Sequence, residues 1–199
     1  MSHLQSSRIL PAVALLAGLL STACQTSGPV RPASIGDWRV AGASNALIAS
    51  RDGGDFGDTD TIRGGISGGR FFTDEMMWEG VVTLEDTKAE NSAGADTDAQ
   101  VFTLGGGVRY YFDTVSASRP YAVAQAGLAR LDVDDDVTGV DDSDTAPFLR
   151  VGGGLESFLN EHIAVDFGVM YERIFDLDLE SANDDISTLA AMVGISVWL

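Results

Sequence analysis

The stretch His162-Ile163-Ala164-Val165-Asp166-Phe167-Gly168-Val169-Met170-Tyr171-Glu172 alternates residue by residue. Ile163, Val165, Phe167, Val169 and Tyr171 share one face, which Phe175 continues; Ala164, Asp166, Gly168, Met170 and Glu172 share the other. A period of two means a β-strand with one face toward an apolar medium and the other turned away from it. The last residues repeat the pattern. Leu189, Ala191, Val193, Ile195, Val197 and Leu199 oppose Thr188, Ala190, Gly194 and Ser196. Upstream, Leu149, Val151 and Leu155 oppose Arg150, Gly152, Gly154 and Glu156. The first strand is blurred by Ser44 and Asn45, and Gln125 falls on the otherwise apolar face of the fifth.

From Asp37 onward two kinds of polar break take turns. Residues 51–58, 88–98, 132–145 and 176–185 are long, acidic and rich in Asp and Gly; residues 73–75, 113–119 and 160–162 are short. Long extracellular loops alternating with short periplasmic turns punctuate outer-membrane barrels. The breaks leave eight strands, at 37–50, 59–72, 75–87, 99–112, 119–132, 145–158, 162–176 and 185–199. Each exceeds the ~9–11 residues that a tilted strand needs to cross a bilayer. The predicted fold is all-β, an eight-stranded antiparallel up-and-down transmembrane β-barrel. An even strand number puts both termini on one side, which is the periplasmic one if the long acidic loops are extracellular.

Composition agrees. A net charge of −18, from 12 Lys and Arg against 30 Asp and Glu, repels nucleic acid. A hydrophobic content of 45% is too high for a disordered chain. The 23 glycines favour strands with close backbone contacts. Three of them precede an aromatic pair or ring in Gly105-Gly106-Gly107-Val108-Arg109-Tyr110-Tyr111, with counterparts at Gly68-Gly69-Arg70-Phe71-Phe72 and Gly152-Gly153-Gly154-Leu155-Glu156-Ser157-Phe158.

The N-terminus reads as an export signal. Arg8 precedes an apolar run from Ile9 to Leu20, then Ser21, Thr22 and Ala23. That run is too short for a transmembrane helix. The predicted division is a signal peptide over 1–23, a flexible Gly/Pro/Ser tether over 24–36 and a barrel over 37–199. Cys24 is the single cysteine, so no disulfide framework exists. Leu20-Ser21-Thr22-Ala23-Cys24 resembles a lipoprotein signal, which makes Cys24 the lipidation candidate, and Gln25 after it implies sorting to the outer membrane. Ordinary cleavage after Ala23 is the alternative.

An alternating barrel can turn its apolar face inward, as a soluble carrier does, or outward to lipid. Aromatic placement favours lipid. Trp38, Phe72, Trp78, Tyr110, Phe112, Tyr121, Phe158 and Trp198 all fall at short-turn ends, where they are expected to form a periplasmic girdle. The charges are then interior: Arg39, Arg63, Glu79, Glu85, Arg109, Arg130, Arg150, Glu156, Asp166 and Glu172. An eight-stranded barrel is just wide enough for side chains to fill it. Buried charges must pair, so an Arg–carboxylate network is expected to plug the lumen.

No catalytic, cofactor or metal site emerges. His3 leaves with the signal, and His162 sits at a short turn with the aspect of an interfacial polar residue. The acidic run at 132–144 fails the EF-hand spacing, lacking Gly at the sixth position and Glu at the twelfth.

The strand pattern, the loop alternation, Arg119-Pro120-Tyr121 at the start of strand five and the terminal Val197-Trp198-Leu199 resemble the OmpA/OmpX-type outer membrane protein β-barrel family. The resemblance covers about 37–199. It implies recognition by the barrel-assembly machinery, for which family members end in an aromatic residue; here Leu199 follows Trp198. It also implies outer-membrane lipid and lipopolysaccharide as surroundings. The expected function is that of a non-enzymatic structural, envelope or surface-interaction barrel with a plugged, charged lumen. The alternatives are a narrow small-solute channel of the opacity-porin or OmpW type and a soluble lipocalin-like carrier lipoprotein, for which Gly36-Asp37-Trp38 matches the Gly-x-Trp start.

Overall fold

Period-two segments joined by polar breaks can each pair with their predecessor, and closing the last on the first leaves no strand edge unpaired. A computed structural model of the chain has that arrangement; it describes residues 32–52, 59–90, 96–135, 140–175 and 185–199. The predicted signal peptide and Cys24 lie outside them. The eight strands are β1 (Trp38–Asp52), β2 (Thr59–Phe71), β3 (Met76–Glu90), β4 (Asp96–Tyr111), β5 (Ser118–Asp135), β6 (Val140–Phe158), β7 (Ile163–Ile174) and β8 (Ile186–Trp198). They form a closed antiparallel barrel in chain order. Register shifts occur where β1 meets β8, between Asn45 and Leu47 and between Ile48 and Ser50. Bulges there bend and twist the strand that closes the cylinder.

Strands β3 to β6 run further into the acidic breaks than the hydrophobic pattern predicts. Asp132–Asp135 and Val140–Asp144, expected as loop, continue the β5–β6 ladder. The alternation reports only where lipid covers the wall. Backbone pairing needs no lipid and continues beyond it.

The orientation of the wall separates a membrane barrel from a soluble one. Ile62, Leu104 and Leu128 are more than half exposed on the outside, whereas Glu79, Glu85, Arg109 and Glu156 are at most 5% exposed inside. Outward residues of β4 stay apolar from Phe102 to Phe112, and Gln100 ends the run. At ~3.3 Å per residue and a tilt of ~40° this spans about 25 Å, the height of an outer-membrane apolar band.

Strand β5 corrects the sequence reading. Its outward face is Pro120, Ala122, Ala124, Ala126, Leu128 and Arg130, and its inward face is Arg119, Tyr121, Val123, Gln125, Ala129 and Leu131. The inward face carries bulky apolar side chains toward the long-loop end of the lumen, where Leu131 and Ala129 join Val101, Phe148 and Ile174 in an apolar cluster. Arg130 therefore does not belong to the interior network. It lies outside, paired with Asp132 at 2.9 Å, both side chains about half exposed.

Inward glycines make room for this filling. A Cβ on Gly154 or Gly168 would stand 2.6 or 2.7 Å from the Tyr121 hydroxyl, so Tyr121 lies across both. A Cβ on Gly107 would meet the Ala124 carbonyl oxygen and come within 2.7 Å of the Gln125 Cα, which cannot retreat without moving the wall. A Cβ on Gly64 would meet nothing within 4 Å. Gly107→Ala should therefore lose about 1–3 kcal/mol in urea unfolding from lipid vesicles, whereas Gly64→Ala should stay within about 0.5 kcal/mol of the parent.

Candidate functional site: the filled lumen

Four strands meet at Glu156. Its carboxylate, fully buried on β6, accepts from Arg39 Nε of β1 at 2.9 Å, from the Tyr111 hydroxyl of β4 at 2.7 Å and from Trp198 Nε1 of β8 at 3.1 Å. Ser196 Oγ donates to the same oxygen as Arg39. Arg39 also pairs with Asp166 of β7, and lies 3.5 Å from Glu79 of β3. Arg109 donates to Glu79 through Nε at 2.8 Å and Nη2 at 3.3 Å. These residues make a lower tier near the short turns.

An upper tier centres on Glu172 of β7. It accepts from Arg63 Nη2 of β2 and Arg150 Nε of β6, both at 2.8 Å. Glu85 lies 3.4 Å from Arg63. Arg150 reaches Thr103 at 3.4 Å and Thr83 at 3.5 Å, and those two hydroxyls bond to each other. Gln125 ties the tiers together. Its Nε2 donates to Glu79 at 2.6 Å and its Oε1 accepts from Arg150 at 3.3 Å.

Beneath the lower tier the lumen ends in an aromatic floor. Phe71, Tyr111, Tyr121, Phe158 and Trp198 are buried together, with Trp198 5.2 Å from both Phe71 and Phe158 between ring centroids. Arg119 lies over Phe158 at 4.2 Å and Trp198 at 4.8 Å, and Arg109 over Tyr121 at 4.1 Å. Such contacts stabilise a cation away from water by about 2 kcal/mol. Residues 32–37 cross under this floor. Ala33 packs into it and its N–H donates to Thr114 at 3.2 Å; Gly36, at φ 96°, turns the chain so that its N–H meets the Phe71 carbonyl at 2.9 Å.

The ten predicted lumen residues thus divide. Arg39, Arg63, Glu79, Glu85, Arg109, Arg150, Glu156, Asp166 and Glu172 are brought together inside, and Arg130 is outside. The predicted girdle divides too. Trp38, Phe72, Trp78, Tyr110 and Phe112 face outward, with Phe72 stacked on Trp78 at 5.1 Å and Tyr110 edge-on to Phe112 at 5.1 Å. Tyr121, Phe158 and Trp198 turn inward and form the floor instead, because each shares the parity of a buried polar residue on its own strand: Arg119, Glu156 and Ser196. Arg119, Gln125 and the Thr83–Thr103 pair were missed. The same parity on β5 that removes Arg130 brings in Arg119 and Gln125.

At the rim, His162 is exposed, and its Nδ1 lies 3.1 Å from the Trp198 carbonyl. In the β4–β5 turn, hydrogen bonds from the Ser116 hydroxyl and from the Val115 and Ser116 amides hold the Asp113 carboxyl below its usual range. Among the described residues no cluster of three or more His, Cys, Asp or Glu is placed to hold a metal.

Residues 12–197 match the outer membrane protein beta-barrel domain family. The chain belongs to that family. No curated protein matches it. Among solved structures it is similar to Neisserial surface protein A, at 22% identity and a TM-score of 0.59 over 81% of this chain and 96% of that one. Ail, the attachment invasion locus protein of Yersinia pestis, solved with the heparin analogue sucrose octasulfate, aligns at 14% identity and TM-score 0.54, covering 83% and 99%. OprG from Pseudomonas aeruginosa aligns at 18% and 0.54, covering 85% and 99%. At these identities the likeness is one of fold: an eight-stranded outer-membrane barrel.

Removing one member of a buried ion pair leaves the other charge uncompensated, at a cost of about 3–5 kcal/mol. Arg39→Met should lose stability on that scale, and adding Glu156→Gln to it should recover part of the loss. Arg130→Ala, on an exposed pair, should cost less than about 1 kcal/mol. A double-mutant cycle in urea, read by the heat-modifiable gel band, checks all three.

Proposed function

We propose that this protein is a non-conducting, non-enzymatic outer-membrane barrel that works at its surfaces, as a structural element of the envelope and a platform for acidic extracellular loops. The carrying observation is the closed lumen, with two ion-paired tiers above an aromatic floor that residues 32–37 cover from below. A solute path along the axis would have to break that floor. The short-turn end faces the periplasm in this reading, with both termini there, because the outward ring of Trp38, Phe72, Trp78 and Phe112 suits a headgroup boundary.

The acidic loops favour cationic contacts. A heparin-like polyanion, such as the analogue bound to Ail, would be repelled by a chain of net charge −18. Divalent cations bridging loop carboxylates to lipopolysaccharide phosphates fit the charge better. The barrel-assembly machinery is the partner during insertion. Cys24 lies eight residues before Pro32 at the periplasmic rim, a reach of up to about 26–29 Å for extended chain. An acyl group on Cys24 would therefore insert into the inner leaflet beside the barrel.

Planar-bilayer recording and gel shifts test this. The purified barrel should insert without discrete conductance steps; reproducible steps scaling with salt would overturn the closed-lumen reading and favour a narrow channel. Outer-membrane fractions should hold a band that shifts on boiling. It should persist in Cys24→Ala, since the strands hold the protein in the membrane with or without a lipid.

A further inference from the structure

Between the two ion-paired tiers lies a cavity of about 60 Å³, bordered by Arg39, Arg63, Arg109, Gln125, Arg150 and Asp166. Arg109 and Asp166 both line it, and each has a buried polar atom without a hydrogen-bond partner: Arg109 Nη1, a donor, and Asp166 Oδ1, an acceptor. Both side chains are at least nine-tenths buried, and Arg109 Nη1 stands 3.6 Å from the other Asp166 oxygen, too far for a direct bond. A donor and an acceptor left open on one cavity define what fits there.

A simple anion would meet Asp166 and Glu79 at the wall, and a simple cation would meet four guanidinium groups. A neutral molecule that both donates and accepts satisfies Asp166 Oδ1 and Arg109 Nη1 at once. Size restricts it further. At ~15–30 Å³ per water the space takes about two to four waters, or one organic molecule of a few heavy atoms. Acyl chains, sugars and peptides do not fit.

We propose that this cavity is a binding site for small neutral hydrogen-bonding molecules, held at rest by water that bridges Arg109 Nη1 to Asp166 Oδ1. The barrel is then plugged but wet at its centre. The bridge lets Arg109 stay fixed on Glu79 and over Tyr121 without closing directly on Asp166. The proposal goes beyond the closed-lumen reading. A conducting barrel would defeat that reading and leave this site in place.

The test is NMR of the full barrel in lipid nanodiscs with 15N-arginine, using water and formamide as probes. In the parent, the Arg109 guanidinium protons should show magnetisation transfer from bound water. Adding formamide should shift the Arg109 resonance saturably and weaken the water transfer. Ala41 is buried and borders the cavity, so Ala41→Leu projects three more carbons into it. That variant should lose both the water transfer and the saturable shift while keeping its heat-modifiable band. Exposed Arg130 should behave identically in parent and variant. Should Ala41→Leu not fold, the smaller Ala43→Val at the same cavity replaces it. A parent Arg109 without water transfer, an Arg109 that formamide leaves unshifted, or unchanged signals in a folded cavity-filling variant would each overturn the proposal.

Discussion

The fully buried carboxylate of Glu156 is the constraint from which the rest of the lumen follows. A lone carboxylate in that position would be prohibitively costly. It is tolerated because Arg39, Tyr111, Trp198 and Ser196 all donate to it, from β1, β4 and β8. None of those strands is a sequence neighbour of β6. Ladder hydrogen bonds join each strand only to the next, so the cross-lumen bonds select one register and one diameter from the alternatives that backbone pairing permits. One tier higher, Glu172 of β7 reaches across the lumen to Arg63 of β2, while Arg150 binds it from adjacent β6.

The narrow bore explains the glycines. Guanidinium groups and phenol rings cannot share a small barrel's interior with a full set of side chains. Where Tyr121 crosses the lumen, Gly154 and Gly168 stand beneath it on β6 and β7, and Phe148 lies against Gly105 on β4. Large and small inward residues are therefore complementary across strands, the way a packed core divides its space. The triple-glycine runs at 105–107 and 152–154 are two walls of this packing.

The legible parts of the fold were those where chemistry and periodicity agree. In β7 and β8 every outward residue is apolar within the band, so strand, face and lumen members could all be read. In β5 they diverge. Outward Ala122, Ala124 and Ala126 give a faint signal, and inward Val123, Ala129 and Leu131 a stronger one, because the lumen has its own apolar cluster toward the long-loop end. Hydrophobicity marks contact with anything apolar, whether lipid or packed side chains. Choosing the wrong face there misplaced Arg130, Tyr121 and Gln125 together and hid Arg119. Phe158 and Trp198 failed for another reason: an aromatic at a strand end is expected at the headgroups, and only its parity against Glu156 or Ser196 places it inside. The cavity between Arg109 and Asp166 had no sequence signal, since it is a remainder of packing in three dimensions.

Beyond the apolar band, the β5–β6 hairpin continues with Asp134 opposite Asp98 on β4 and opposite Asp141 on β6. Like charges directly across strands destabilise a sheet. The lumen balances each carboxylate against an arginine, yet on this hairpin the register sets aspartate beside aspartate. The β5–β6 ladder nonetheless stays in register as far as Asp135 opposite Val140, above a lumen whose long-loop end is filled by an apolar cluster. The lumen thus carries its charges paired, whereas toward the rim acidic residues outnumber arginine partners such as Arg130 with Asp132 and Arg173 with Asp185.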